Sequence, residues 1–292
     1  MGARVRDVLP KSIGRNAVCV VIALVLLAAA ASAFGGEQWA LAGPSPVHVH
    51  GLGVTRDGAL LVATHAGLYR LDKGRRTLEP VGDRRPDTMG LAVLGDGRLL
   101  ASGHPDPRDT LPGLLGLQES RDGGKHWQPL SLLGRADFHV LRARLRTVVG
   151  YDASTGRVMV SRDGGATWRS HRFNGPLVDL ALAPLPSDAL LASTQAQVIR
   201  SNDGGTTWRA VAETTGFLAW PSSTHLYLLA PDGHLWWSPN NGRRWQSRGK
   251  IGGNPVAFAV AGSQMYAALD TGEVKASLNG GRSWRRAGLL PG

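Results

Sequence analysis

The chain has 292 residues, of which 42% are hydrophobic, with 39 glycines and 17 prolines. That is apolar enough for a substantial core, punctuated like an all-β protein with many turns, and not the composition of a disordered chain. The formal net charge is +11 with the arginines scattered through many turns, which reads as a solvated basic surface or as affinity for anionic envelope polymers or lipid head groups. A single cysteine, Cys19, excludes an internal disulfide.

At the N-terminus, Arg4, Arg6, Lys11 and Arg15 precede an apolar run from Ala17 to Ala31, and Ala31-Ser32-Ala33 offers a small-x-small cleavage site. Residues 1–33 are therefore expected to be a signal peptide helix cut after Ala33, or an uncleaved anchor formed by residues 17–33. Either way the folded part is expected outside the cytoplasm, periplasmic or secreted, touching a membrane only through that segment. Export argues against a nucleic-acid partner. Cys19 falls inside the run, so the mature protein has neither thiolate metal ligands nor a cysteine nucleophile. Residues 34–46 read as a linker and 47–292 as the folded domain, with Gln38–Leu41 either part of the linker or a strand that closes the fold.

Five segments share one pattern: Ser120-Arg-Asp-Gly-Gly-Lys-His-Trp127, Ser161-Arg-Asp-Gly-Gly-Ala-Thr-Trp168, Ser201-Asn-Asp-Gly-Gly-Thr-Thr-Trp208, Ser238-Pro-Asn-Asn-Gly-Arg-Arg-Trp245 and Ser277-Leu-Asn-Gly-Gly-Arg-Ser-Trp284. Their serines lie 41, 40, 37 and 39 residues apart. A period near 40 with short strands between turns is what radially arranged four-stranded blades produce. In each box Asp122, Asp163, Asp203, Asn240 or Asn279 can accept hydrogen bonds from the turn's own amides, and glycine supplies φ > 0. The tryptophan opens an outer strand. Inner strands are expected near Val47, Asp87, Asp137, Pro176, Gly216 and Asn254, which makes six antiparallel blades; the first has only a degenerate box, Tyr69–Arg76.

Aligning the inner strands gives one column of His50, Met89, His139, Val178, Leu218 and Val256. Two residues earlier, on the same face by strand periodicity, stand His48, Asp87, Asp137, Pro176, Gly216 and Asn254. The ends of the second strands give His65, His104, Asp152, Gln195, Asp232 and Asp270. An inner strand's start and the second strand's end share a rim. His48, His50, His65, Met89, His104 and His139 are thus expected at one mouth over blades one to three, with Asp87, Asp137 and Asp152 as acidic companions and the boxes at the other mouth. Imidazole with thioether suits copper, and imidazole with carboxylate suits zinc or another divalent ion. The insertion His104–Gly113, stiffened by three prolines, is expected as a lip on the same rim.

The boxes resemble the Asp-box, or BNR, repeat of sialidases, sortilin-type receptors and the photosystem II assembly propeller, and exported bacterial chains of this look are loosely labelled glycosylhydrolases. The resemblance implies a β-propeller that is a glycoside hydrolase or a non-catalytic platform for a protein partner. Sialidase chemistry needs clustered arginines, a tyrosine nucleophile with an acidic partner and an acid for the leaving group. The arginine-isoleucine-proline motif of sialidase N-termini is absent, and Tyr151 alone of four tyrosines falls near the favoured rim. A paired-carboxylate hydrolase would use Asp87 and Asp137. For a platform, the only sequence cue is Trp236-Trp237, which reads first as blade packing. The reading carried forward is an exported, monomeric binding or accessory propeller, its partner a protein or an envelope polymer, with a transition-metal site at one mouth.

Overall fold

The computed structural model describes residues 48–291; the expected signal segment, the expected linker with Gln38–Leu41, and Gly292 lie outside the described residues. Twenty-four strands, numbered β1–β24 in chain order, form six sheets of four sequence-consecutive antiparallel strands. The inner strands are β1 (Val49–Val54), β5 (Asp87–Val93), β9 (Phe138–Arg144), β13 (Leu177–Leu182), β17 (Phe217–Ser222) and β21 (Pro255–Ala261). Each starts within two residues of its expected place. Successive inner strands pack on one another, and β21 returns to β1, so the six blades form a closed β-propeller. No described residue is helical.

The blade layout follows from which strands are covered on both faces. Second strands such as β2 (Leu60–Thr64) are buried at every position, because neighbouring blades cover both sides, and they read as unbroken apolar runs. Outer strands such as β12 (Arg169–Arg172) are largely exposed and polar. Every strand of the first sheet comes from the start of the described chain, and every strand of the last sheet from its end. The seam between them is made by packing: Val49, Leu60, Val62, Leu71 and Leu78 of blade one meet Ala257, Ala268, Val274 and Leu290 of blade six, with one parallel bridge between Thr77 and Leu289.

The box turns are hydrogen-bonded as their residues dictate. In blade three, Ser161 Oγ accepts from the Gly165 amide at 2.8 Å and donates to Asp163 Oδ1 at 2.7 Å, while that carboxylate accepts from the Ala166 and Thr167 amides and the Thr167 hydroxyl. Blades two and four repeat this with Asp122 and Asp203, and Asn240 and Asn279 substitute an amide oxygen in blades five and six. The second glycine is required twice over. At Gly165 φ is +98°, and a Cβ there would lie 2.3 Å from Leu117 of the preceding blade. Trp127, Trp168, Trp208 and Trp284 each close their box by donating Nε1–H to the glycine carbonyl three residues back, at 3.0–3.2 Å.

Hydrogen bonds from Thr167 and Thr207 hold the Asp163 and Asp203 carboxyls below the ordinary range, and those from the His126 amide and ring do the same for Asp122. A carboxyl depressed in the folded state stabilises it above the unfolded pKa of about 3.9, and that contribution disappears as pH falls through the folded value. Melting temperatures recorded from pH 5 to pH 2 should therefore fall steeply below pH 4. The triple variant Asp122→Asn, Asp163→Asn, Asp203→Asn should start lower and flatten that limb, because its boxes, like those of blades five and six, no longer titrate. An unchanged acid limb would show that the boxes are not what acid attacks.

Candidate metal centre at the histidine mouth

The expected rim is assembled by pairing within each blade. Asp87 and His104 are register partners across β5 and β6 (Leu99–His104). The Asp137 amide donates to Asp152 Oδ1 at 2.9 Å, the His48 amide donates to His65 Nδ1 at 3.0 Å, and Asn254 Nδ2 donates to Asp270 Oδ2 at 2.9 Å. The same rim therefore collects His48, His50, His65, Asp87, Met89, His104, Asp137, His139 and Asp152, and the antiparallel order of each blade puts the box turns at the opposite end.

The periodicity argument fails at one point, for a physical reason. In five of the six inner strands the column residue is a β-bulge: His50, Met89, His139, Val178 and Val256 are skipped between paired neighbours. A bulge inserts an unpaired residue, bends the strand and re-aims its side chain, so His48 and His50 do not share a face. His48 instead turns to His65, with ring centroids 5.6 Å apart and edge-on. His50 turns to the next blade, where its Nε2 lies 3.3 Å from Asp87 Oδ1. Met89 sits half-buried at the bulge of β5.

Three side chains from two blades converge more closely. His104, Asp137 and His139 offer ligand atoms within 4.8 Å of one another, and no other such group of three occurs among the described residues. His139 Nε2 is hydrogen-bonded to Asp137 Oδ2 at 2.8 Å, and His104 Nε2 lies 3.7 Å from the same oxygen. Asp137 Oδ1 is shut from solvent without a hydrogen-bond partner. His104 Nδ1 is 2.8 Å from the Gly113 carbonyl. A carbonyl only accepts, so Nδ1 carries the proton and the Nε2 lone pair of the neutral ring faces the carboxylate. A lone pair opposite a carboxylate is repulsive until a proton or cation comes between them, and a ring N–H spent on a carbonyl is the usual outer support of a metal-bound histidine.

Two of the expected residues are engaged elsewhere in this structure. His65 Nδ1 accepts the His48 amide, so the proton of its neutral ring is on Nε2 and neither nitrogen has a lone pair to give. Asp152 is spent on its own loop: it accepts from the Asp137 amide, the Ser154 amide and hydroxyl, and the Thr155 hydroxyl. Tyr151 is half-buried, packs edge-on against Phe173 at 6.0 Å, and burial raises its hydroxyl above the ordinary value, which is the reverse of an activated nucleophile. Trp236 is buried, and Trp237 is capped by Arg248 at 4.1 Å from its ring centre, so both tryptophans are used in blade packing.

The insertion has a structural role that its prolines alone did not announce. Asp106, 2% exposed, accepts from the Arg85 amide at 2.6 Å and from the Arg108 amide and guanidinium at 2.6–2.9 Å, which holds its carboxyl well below the usual range. The loop is thereby tied to the connection between blades one and two, and its far end presents Gly113 to His104. A second unforeseen residue, Asp179 on β13, lies in the channel wall. It pairs with Arg142 of blade three and accepts from the Leu180 and Leu218 amides at 2.7 Å each, while removal from water pushes its carboxyl upward against those donors. A charged residue amid Leu177-Val-Asp-Leu-Ala-Leu182 is the signal that could have found it.

No protein-family model and no curated protein sequence matches the chain. Solved structures do. YCF48 from Cyanidioschyzon merolae superposes with a TM-score of 0.51 at 17% identity, over 84% of this chain and 86% of that one. A nidogen/laminin complex gives 0.58 at 16% identity over 80% and 97%, and the WD40 β-propeller domain of Doa1 gives 0.56 at 13% over 83% of each. At these identities the likeness is one of fold.

Proposed function

We propose that this chain is an exported, non-catalytic binding propeller of the Asp-box type whose histidine mouth holds a divalent transition metal and receives a protein partner. The observation that carries the reading is the His104–Asp137–His139 group, with His104 locked in the ligand tautomer by Gly113 and Asp137 Oδ1 left without a donor. Two imidazoles and a carboxylate, with no thioether among them, favour zinc or copper(II) over copper(I). Three protein ligands on a tetrahedral ion leave one position open, and His104 and His139 are 40% and 30% exposed, so that position faces the mouth. A protein partner is supported by analogy of fold: YCF48 has been solved bound to D1 peptide, and the nidogen match is a complex with laminin. Sialidase chemistry gains no support from Tyr151, and both candidate acids, Asp87 and Asp137, face histidines.

The test is metal analysis of the tag-free protein, followed by zinc titration against a chromogenic chelator. The wild type is expected to bind zinc. His104→Ala and His139→Ala should each weaken the ion that those residues share by more than the roughly 10–100-fold that losing an outer partner costs, with unchanged circular dichroism. Affinity should also fall as pH is lowered, because a protonated imidazole has no lone pair to give a metal. Protein that carries no metal and shows no affinity for zinc or copper would overturn the reading.

A further inference from the structure

Next to that group is a second pair that the three-ligand centre does not use. His50 Nε2 comes from the bulge of β1, and Asp87 Oδ1 comes from the first residue of β5 in the next blade. They face each other at 3.3 Å, both are shut from solvent, and neither makes a hydrogen bond. An imidazole N–H donated to the carboxylate would satisfy both; at 3.3 Å the pair is an ion pair that leaves both atoms without a hydrogen bond. Two donor atoms from different blades pointing at one space without bonding each other is the arrangement of ligands around a shared ion.

We infer that His50 and Asp87 hold a second divalent transition metal, so that the mouth is a two-ion centre spread over blades one to three. The register pairing of Asp87 with His104 makes the two sites adjacent: imidazole and carboxylate alternate as His50, Asp87, His104, Asp137, His139. The first ion has three protein ligands and the second has two, so the second is the weaker. The ligand class is a borderline divalent ion such as zinc, cobalt(II) or copper(II), all of which accept imidazole and carboxylate together. This inference extends the proposed centre but rests on its own residues.

The experiment is binding stoichiometry in tag-free full-length protein, read by zinc titration against a chromogenic chelator and by the visible spectrum of the cobalt(II) form. The wild type should take up two equivalents, the second at least tenfold more weakly. His50→Ala and Asp87→Asn should each reduce this to one tight equivalent, whereas His139→Ala should remove the tight one and keep the weak one. Melting temperature without metal keeps misfolding apart from ligand loss, and Asp87→Asn, which preserves shape, serves if His50→Ala proves unstable. A single equivalent in the wild type, or two equivalents surviving in both His50→Ala and Asp87→Asn, would overturn the second site and leave the first standing. No equivalents at all would overturn both.

Discussion

Asp179→Ala is expected to cost about 3–5 kcal/mol of folding stability, the loss typical of removing one partner from a buried ion pair. The carboxylate is 2% exposed and serves three blades at once: Arg142 on β9, the Leu180 amide on its own strand and the Leu218 amide on β17. Truncation strands a half-buried guanidinium and orphans two amides in the channel wall. The companion double variant Asp179→Ala, Arg142→Met separates the two losses. Removing the stranded charge should recover part of the stability but not all of it, because the Leu218 and Leu180 amides still lack an acceptor. Urea unfolding with an unchanged m-value would measure this. A loss below about 1 kcal/mol would mean that water replaces the carboxylate, as it does for surface pairs.

Gly103→Ala is expected to damage fold and site together. Gly103 has φ of +144°, and a Cβ there would stand 1.9 Å from the Asp87 carbonyl oxygen and 2.9 Å from the Met89 amide. Both are backbone atoms, so no side-chain rotation relieves the clash, and β5 and β6 must part at the position where Asp87 is opposite His104. A strained conformation and an overpacked contact together suggest about 2–4 kcal/mol. Zinc affinity should fall as well, although no ligand is altered, because His104 and Asp87 are carried on the displaced strands. Gly156→Ala, at φ +65° with open space around its would-be Cβ, is the matched control: a similar backbone cost with metal binding intact. Equal zinc affinity in the Gly103 variant would show that the strand pairing does not position the ligands.

Much of this architecture was legible in the sequence because it is periodic. A box about every forty residues dictates turns whose serine, aspartate and glycine each satisfy a local demand, and the blades follow by counting. The rim was legible for the same reason: His65, His104 and Asp152 had to meet the inner-strand starts, and they do. What periodicity could not supply is where it breaks. The bulges at His50, Met89 and His139 leave no residue-type signature, since a bulge depends on how two strands register and not on one residue's preference. The tautomers of His65 and His104 were equally hidden, since each is set by a partner brought in from elsewhere, the His48 amide in one case and the Gly113 carbonyl in the other. Asp106 looks like an ordinary loop aspartate until the Arg85 amide from the connection between blades one and two meets it, and the partners of Asp179, Arg142 and the Leu218 amide, come from the blades on either side. The buried serines behave likewise: Ser102 Oγ accepts the Phe138 amide and Ser193 Oγ the Gly216 amide, both at 3.0 Å, joining blade to blade through residues that read as merely small.

The polypeptide enters the described fold at His48, on the rim that carries the imidazoles, and β24 (Arg285–Leu289) also runs towards that rim. Whatever is joined directly to either end of the described fold therefore starts from the histidine rim and not from the turn side. A polyhistidine label there would itself bind any transition metal added, and tethering the described fold to a sensor by its ends would shade one face while presenting the other to solution. Attachment through an exposed box residue, such as a cysteine placed at Arg121, reverses the presentation and leaves the imidazole side open to whatever approaches it.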